Sequence, residues 1–318
     1  MMNFKNRLSI FLIELSHRIK GYLYTRKWYS NEKITFNKTA VFVCDGRLDS
    51  CGMTDRFVGI VSLYCWAKQH GIPFRIQYTY PFKLFLFLLP NKYDWLPKVG
   101  DYVEDRKAAR IVYAIGEPGV LSRLNSLKDD KQIHFYGNRN LLPSLGIPPE
   151  NWGAEFLELF KPSDALSYKI SALKKDFGDY FSVCFRFQNL LGDFSEYGFK
   201  SIQNKEDLNE LVMRCISLLA KLMKSHNGLN CVITSDSVNF FKIASKETGC
   251  LYIKGNLVHM GSNPNGKIEE YEKSFLDFFI LSESRKIYNV VIGDMYPSSF
   301  PYYAAKLHGI PFERISIE

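Results

Sequence analysis

The sequence predicts an α/β protein built on parallel sheets in two successive halves, and three observations carry that prediction. Short apolar runs such as Ala40-Val41-Phe42-Val43-Cys44 and Cys231-Val232-Ile233-Thr234 alternate with stretches of helical spacing. Strands buried on both faces between helices read in this way, whereas half-solvated antiparallel strands alternate apolar with polar. The alternation runs in two series, parted by a Pro- and Gly-spaced region from Pro143 to Gly153, and 318 residues suffice for two domains. Finally, Ala67-Lys68-Gln69-His70-Gly71-Ile72-Pro73-Phe74 is echoed by Ala305-Lys306-Leu307-His308-Gly309-Ile310-Pro311-Phe312. Each copy reads as a helix end, a glycine cap and a strand that starts after proline. Duplication and convergent capping both account for the match, and either way each half contains a helix-to-strand return.

The elements follow in order. Residues 1–34 form a basic segment in which Leu8, Phe11, Leu12, Leu15, Ile19 and Tyr22 keep helical spacing among Lys5, Arg7, Arg18, Lys20, Arg26 and Lys27. An interfacial helix on an anionic membrane and a helix docked on the protein body both fit that pattern. Residues 35–165 form the first domain. Its strands are 40–44, 74–78, 111–115 and 133–136, with a helix over 54–70 that Thr54 caps. The apolar stretch Pro81–Pro90 reads as a core helix or as a greasy lip for a lipid-linked acceptor. Residues 166–179 are read as linker and 180–318 as the second domain. That domain has strands at 180–185, 231–234, 251–253 and 287–292 and helices near 208–224, 238–246, 268–282 and 299–308.

Composition narrows the function classes. Hydrophobic residues at 46% and charged residues at 23% belong to a folded chain rather than a disordered one. The net charge of +8 favours anionic partners: nucleotide phosphates or an anionic membrane. Nucleic acid is set aside, because the sequence lacks zinc spacing, an RNA-recognition strand motif and a dense basic arm. Seven cysteines, an odd number scattered through apolar runs, read as reduced core thiols of a cytosolic protein. The N-terminal apolar stretch lacks a small-residue cleavage site, and no apolar run approaches the roughly 20 residues that span a bilayer. The expected location is the cytoplasm, with peripheral attachment to the inner face of the plasma membrane if the first helix is interfacial. In that case removal of residues 1–27 is expected to abolish liposome binding and to spare soluble activity.

Four strand ends carry chemistry. After the first strand comes Asp45-Gly46-Arg47-Leu48-Asp49-Ser50-Cys51-Gly52-Met53-Thr54-Asp55-Arg56. This turn lies at the carboxyl edge of a parallel sheet, where ligands bind, and Gly46 and Gly52 permit close backbone approach. Two arginines and three aspartates exceed what a structural loop needs. In Val183-Cys184-Phe185-Arg186-Phe187-Gln188-Asn189 an arginine leaves an apolar strand. Its planar fork suits a diphosphate, and a salt bridge to Asp193 or Glu196 is the alternative. Thr234-Ser235-Asp236-Ser237 places a carboxylate or an N-cap at the next strand end. Pro297-Ser298-Ser299-Phe300 offers hydroxyls and a helix N-terminus to phosphate, with capping as the alternative. His259 lies in a loop within reach of a ligand edge or of solvent. No Asp-x-Asp pair that would hold a nucleotide-sugar cation occurs, and no Cys/His cluster has zinc spacing, so no metal is expected.

Together these pieces resemble the fucosyltransferase-like superfamily of GT-B glycosyltransferases. Bacterial α-1,2-, nodulation-factor and core α-1,6-, protein O- and plant xyloglucan fucosyltransferases belong to it. The matching stretches, in order over most of residues 40–310, are Gly46-Arg47-Leu48 with Gly52-Met53-Thr54-Asp55-Arg56, then Cys184–Asn189 and Thr234-Ser235-Asp236. Phe275–Ser282 and Pro297-Ser298-Ser299-Phe300 close the set. Where many members read His-x-Arg-x-Gly-Asp, this chain keeps the arginine as Arg186, with Cys184 for the histidine and Gln188-Asn189 for Gly-Asp. The resemblance implies two Rossmann-like domains facing each other across a cleft, with the nucleotide held mostly by the second. It also implies a metal-independent, inverting transfer from a GDP-sugar, GDP-fucose in the first place, to a glycan acceptor. Arg186 would bind the donor diphosphate. Gly46, Arg47, Arg56, Asp236, His259, Ser298 and Ser299 would line the donor site. Asp45, Asp49 and Asp55 are candidate bases for the acceptor hydroxyl. The basic, greasy N-terminus fits a bacterial enzyme extending a lipid-linked surface polysaccharide. Two rivals keep the fold: a transferase using GDP-mannose or a UDP-sugar, and a degenerate glycan-binding or scaffold protein.

Overall fold

The computed structural model describes residues 15–16, 19–20, 22–25, 28, 34–48, 51–115, 119–127, 130–192, 201–202, 204–255, 258, 260 and 266–318. The chain divides into two compact units, Met1–Lys161 and Pro162–Glu318.

In the first unit, β1 (Ala40–Cys44), β2 (Phe74–Tyr78), β4 (Ala109–Ala114) and β5 (Gln132–Gly137) form a parallel sheet in the order β2-β1-β5-β4. A short pair joins β3 (Leu88–Pro90) to β6 (Phe160–Pro162). Helix α1 (Met53–Gln69) covers one face of the sheet, with α2 (Val120–Asn125) and α3 (Trp152–Leu159) beside it in sequence. Its approach is close at one point: a Cβ on Gly59 would lie 1.9 Å from the Gly137 carbonyl oxygen. Only glycine lets this helix cross β5 there. The opposite face carries Val41, Val43, Tyr113 and Tyr136, and Tyr24 and Tyr102 pack against them. Tyr24 comes from the N-terminal segment, so that segment helps to cover a sheet face that would otherwise meet water.

In the second unit, β7 (Tyr180–Phe185), β8 (Asn230–Ser235), β9 (Ile287–Ile292) and β10 (Phe312–Ile317) form a second parallel sheet, ordered β10-β9-β7-β8. Phe181, Val183 and Phe185 face a core shared with α5 (Lys205–Ser225) and α6 (Val238–Thr248). The other face meets α7 (Ile268–Ser282), which packs against α4 (Asp164–Phe177) and α8 (Phe300–His308). Lys169–Glu272 (2.6 Å) and Lys174–Glu283 (2.7 Å) tie α4 to α7, so residues 166–177, read as linker, are a helix of this layer.

The echoed octapeptides do the same job in both units. Gly71 and Gly309 take left-handed φ values of 64° and 67°. The Ile72 amide donates to Ala67 O (3.0 Å) and the Ile310 amide to Ala305 O (2.9 Å), closing each helix. The proline carbonyls then accept from the neighbouring strand, Ala40 N–H to Pro73 O and Ile287 N–H to Pro311 O, both at 2.9 Å.

Three expectations change. Leu84–Leu86 is a single 3-10 turn rather than a helix, because the chain from Leu88 is taken up by β3 in its pair with β6. Leu251 makes one isolated bridge to Val232 in place of a strand. Gly52 rather than Thr54 is the N-cap of α1; Thr54 is buried inside the first turn.

Candidate functional site

In a parallel α/β sheet the ligand crevice opens outside the carboxyl ends of the strands, where successive connections leave to opposite sides. In the second unit that point lies between β7 and β9, and Arg186 is the residue just past β7. Its side chain is 20% exposed, and Nη1 stands 3.2 Å from Asp236 Oδ2. Asp236, almost fully buried, also accepts the Phe187 amide on Oδ1 (2.8 Å) and the Gln188 amide on Oδ2 (2.7 Å). Burial pushes this carboxyl up from the ordinary value, while Arg186 and the two amides oppose the rise. The clamp holds Gln188 at a left-handed φ of 53°, a conformation that costs a non-glycine residue about 1–2 kcal/mol.

Asp236 reaches β7 because a neighbour does the capping. The Ser237 hydroxyl accepts the Phe240 amide (3.0 Å) at the start of α6. Ser298 and Ser299 come to the same switch point through the turn after β9. The Tyr296 amide donates to Arg186 O (3.1 Å), the Ser298 amide to Tyr296 O (2.8 Å), and Asn289 Nδ2 to Ser298 O (2.9 Å). The Ser298 hydroxyl accepts the Phe300 amide (3.2 Å), and exposed Ser299 is the N-cap of α8 without a side-chain cap bond. One strand end therefore presents an arginine, two serines and a helix N-terminus, groups suited to a diphosphate.

Sequence reading missed the polar floor beside this end. Cys184 pairs in register with Thr234 on one side and Asn289 on the other, so the three form a row across β8, β7 and β9. Burial pushes the Cys184 thiol up to about 12, so it stays protonated at neutral pH. On α7, Lys273 Nζ and Asp277 Oδ2 form an ion pair of 2.7 Å with 3% and 5% of their side chains exposed. Asp277 Oδ1 and Asn289 Oδ1 are buried without a hydrogen-bond partner. The available signal was Asp277 inside the apolar run Phe275–Ser282, with Lys273 one turn before it.

The first unit has its own switch point, between β1 and β5, and there the turn closes on itself. Asp45 Oδ2 accepts from Tyr24 OH (2.8 Å), Tyr136 OH (3.0 Å) and Arg47 Nε (2.9 Å), and Oδ1 accepts the Arg47 amide (3.0 Å). Burial holds both tyrosines well above their ordinary range, so they remain donors. Arg47 continues to Glu104 (Nη1 to Oε2, 3.0 Å) and to Tyr102 OH (3.3 Å), and this arginine pulls the Glu104 carboxyl below its usual range. Gly46 takes a left-handed φ of 79° against the Tyr80 ring. Arg56 is buried, bonding Tyr78 OH, Tyr80 O (3.2 Å) and Cys51 O (3.1 Å), and so braces the turn from within. Asp55 sits half-buried in the first turn of α1. Asp49, Asp193, Glu196 and His259 lie outside the described residues. Among the described residues, no group of three or more His, Cys, Asp or Glu side chains is placed to hold a metal ion, and no helix is long and apolar enough to cross a membrane.

No protein-family model matches the sequence, and no curated protein matches it. Solved structures do match. NodZ alpha-1,6-fucosyltransferase soaked with GDP-fucose aligns over 85% of this chain and 93% of its own, with 12% identity and a TM-score of 0.53. Fucosyltransferase NodZ from Bradyrhizobium aligns over 84% and 92%, with 13% identity and a TM-score of 0.52. A mutant of Arabidopsis thaliana FUT1 in complex with GDP aligns over 93% and 74%, with 12% identity and a TM-score of 0.55. At this identity the likeness is one of architecture: the chain has the α/β fold of the GT-B fucosyltransferases.

Proposed function

We propose that the chain is a glycosyltransferase that transfers fucose from GDP-fucose, without a metal ion and with inversion, to a glycan acceptor. The single observation that carries this reading is the gathering of Arg186, Ser298 and Ser299 at the switch point of the second unit. Fucosyltransferases of the same fold have been solved with GDP and with GDP-fucose. In such a transfer the leaving diphosphate gains charge as the glycosidic bond breaks. Arg186 and the α8 N-terminus stabilise that charge from fixed positions, with no reorganisation at the moment of reaction. Asp236 holds the guanidinium in place through a carboxylate itself fixed by two amides. The acceptor hydroxyl needs a carboxylate base in line with the anomeric carbon. Asp45, Asp49 and Asp55 are the candidates, and both Asp45 oxygens already accept hydrogen bonds.

The acceptor side of the reading is a lipid-linked bacterial surface glycan at the cytoplasmic membrane. Leu15, Ile19, Tyr22 and Leu23 are 43–61% exposed, and a basic chain presenting such a row suits an anionic bilayer. The truncation first considered, removal of 1–27, now has a different expected result. It takes away Tyr24, which bonds Asp45, together with the exposed row. Removing 1–20 should abolish pelleting with anionic liposomes and spare soluble turnover, whereas removing 1–27 should lose both. Equal pelleting of the shorter chain would sink the membrane role.

Calorimetric titration with GDP, GDP-fucose, GDP-mannose and UDP tests the donor. Selective binding of the guanosine nucleotides, with GDP release from GDP-fucose, is expected. A chain that binds none of the four has no donor site.

A further inference from the structure

The N-terminal segment reaches the first unit's switch point with two aromatic residues and is clasped there. Tyr24 stacks edge-on against Trp28 (5.1 Å) and against Tyr136 (5.6 Å), and the Arg47 guanidinium lies 4.7 Å from its ring centre. Its hydroxyl donates to Asp45 and lies 2.7 Å from Tyr136 OH, whose single proton is shared between Tyr24 OH and Asp45. Trp28 is buried against His134, its ring centre 5.7 Å away. Arg106 grips the same segment from the body of the unit: its amide donates to Trp28 O (3.4 Å), its Nε to Thr25 Oγ1 (3.2 Å), and its guanidinium lies 4.5 Å from the Tyr22 ring centre.

We propose that Tyr24 is a positioning residue for the Asp45–Arg47 turn, so that the N-terminal segment is part of the functional site and not only an attachment. Both hydroxyls that hold Asp45 sit at the end of a stacked aromatic group, and one of the two comes from outside the sheet. With Tyr24 in place, Asp45 fixes the Arg47 amide and Nε, and Arg47 in turn fixes Glu104. After this anchored root the sequence leads to the start of α1, which carries Asp55 in its first turn. Without Tyr24, a buried carboxylate loses a donor, and the root of the turn can move by the ångström or so that orientation-sensitive chemistry does not tolerate. This step rests on the proposed transferase reading, in which that turn supplies the acceptor-side base.

The experiment uses the full chain and Tyr24→Phe, which keeps the ring packing and removes only the hydroxyl. Three quantities are measured: GDP release from GDP-fucose, Kd for GDP, and hydrogen exchange of the Arg47 amide. Positioning predicts GDP release lowered at least tenfold, GDP affinity within twofold of the parent, and faster exchange at Arg47. Tyr136→Phe should do the same. Because both hydroxyls act on one carboxylate, the double variant should fall by less than the product of the single effects. A purely structural hydroxyl would lower the Tm and leave turnover per folded molecule unchanged, which overturns the proposal. So does unchanged exchange at Arg47. If the parent neither binds GDP nor turns over GDP-fucose, the transferase reading fails on its own. The exchange result then decides whether Tyr24 positions the turn.

Discussion

The two strand ends most suited to ligands differ in what they leave over. At the end of β1, the carboxylate of Asp45 meets two tyrosine hydroxyls, an arginine and an amide, and the polar groups finish on one another. At the end of β7 the charges are reversed: an arginine stands partly exposed, backed by one buried carboxylate, beside an exposed serine cap. Behind it, Asn289 and Asp277 each keep a buried oxygen without a partner. A self-satisfied network gives rigidity. The two unpaired oxygens are acceptors, so a hydroxyl or a bound water could relieve their desolvation cost and a phosphate oxygen could not. The charge of the first turn is answered largely by buried groups, whereas the second strand end keeps its arginine partly exposed beside the α8 N-terminus.

The largest expected effect tests that contrast at the floor of the second site. Lys273→Met removes one partner of an ion pair buried on both sides, and losing about 3–5 kcal/mol of unfolding free energy is the usual cost of a buried charge left alone. The double variant with Asp277→Leu should recover most of it. If the single variant is as stable as the parent in urea unfolding, the pair is not buried as described.

Next comes Arg186. Arg186→Ala should weaken GDP binding by about 1.5–3 kcal/mol, with Arg186→Lys intermediate because lysine keeps the charge and loses the fork. Asp236 is one partner of Arg186, so the alanine variant should also lose some stability, though solvent at the exposed guanidinium limits that share. GDP binding unchanged in a folded Arg186→Ala protein would assign the arginine to Asp236 alone, and the contrast between the two ends would collapse.

Asp236→Ala sharpens the same point. It leaves the Phe187 and Gln188 amides without their acceptor, at about 1–3 kcal/mol each where they are buried, and it frees Arg186 to move. Thermal unfolding and GDP titration should fall together. A loss of stability alone would separate the clamp from the site.

The smallest effect lies beside the first turn, where His134 keeps a buried Nδ1 without a partner. Burial lowers His134 to about 3, so between pH 3 and 6.5 the unfolded chain binds the proton that the folded chain refuses. Stability from this group is therefore complete above about 6.5 and lost as pH falls toward 3. His134→Phe should flatten the acid side of the stability curve over that window. An unchanged slope would mean that His134 is solvated.

Much of the fold was legible because it rests on local chemistry. Strands buried on both faces must be apolar throughout, so β1, β7 and β9 appear as runs, and the echoed Gly-Ile-Pro marks each helix end through a left-handed glycine and a proline that cannot continue a helix. Arg186 was visible for a related reason: a polar residue directly after an apolar strand falls at the carboxyl edge of the sheet, and Ser298 and Ser299 stood out as cap residues before α8.

What the sequence could not decide were the partners, since they come from residues far apart in the chain. The sequence suggests Asp193 or Glu196, which lie outside the described residues, as partners for Arg186; Asp236, a partner it does not suggest, arrives because β8 lies beside β7, about 50 residues away in the chain. Asp45 looked like a free base until Tyr24 and Tyr136, 21 and 91 residues away, were folded onto it. Nothing in the local sequence singles out Lys273, and Asp277 enters only within Phe275–Ser282; the packing of α7 against its neighbours buries the pair. Local spacing determines secondary structure and the edge at which a side chain emerges. Whether its charge is answered from within the protein or left for a ligand is settled by which strands become neighbours.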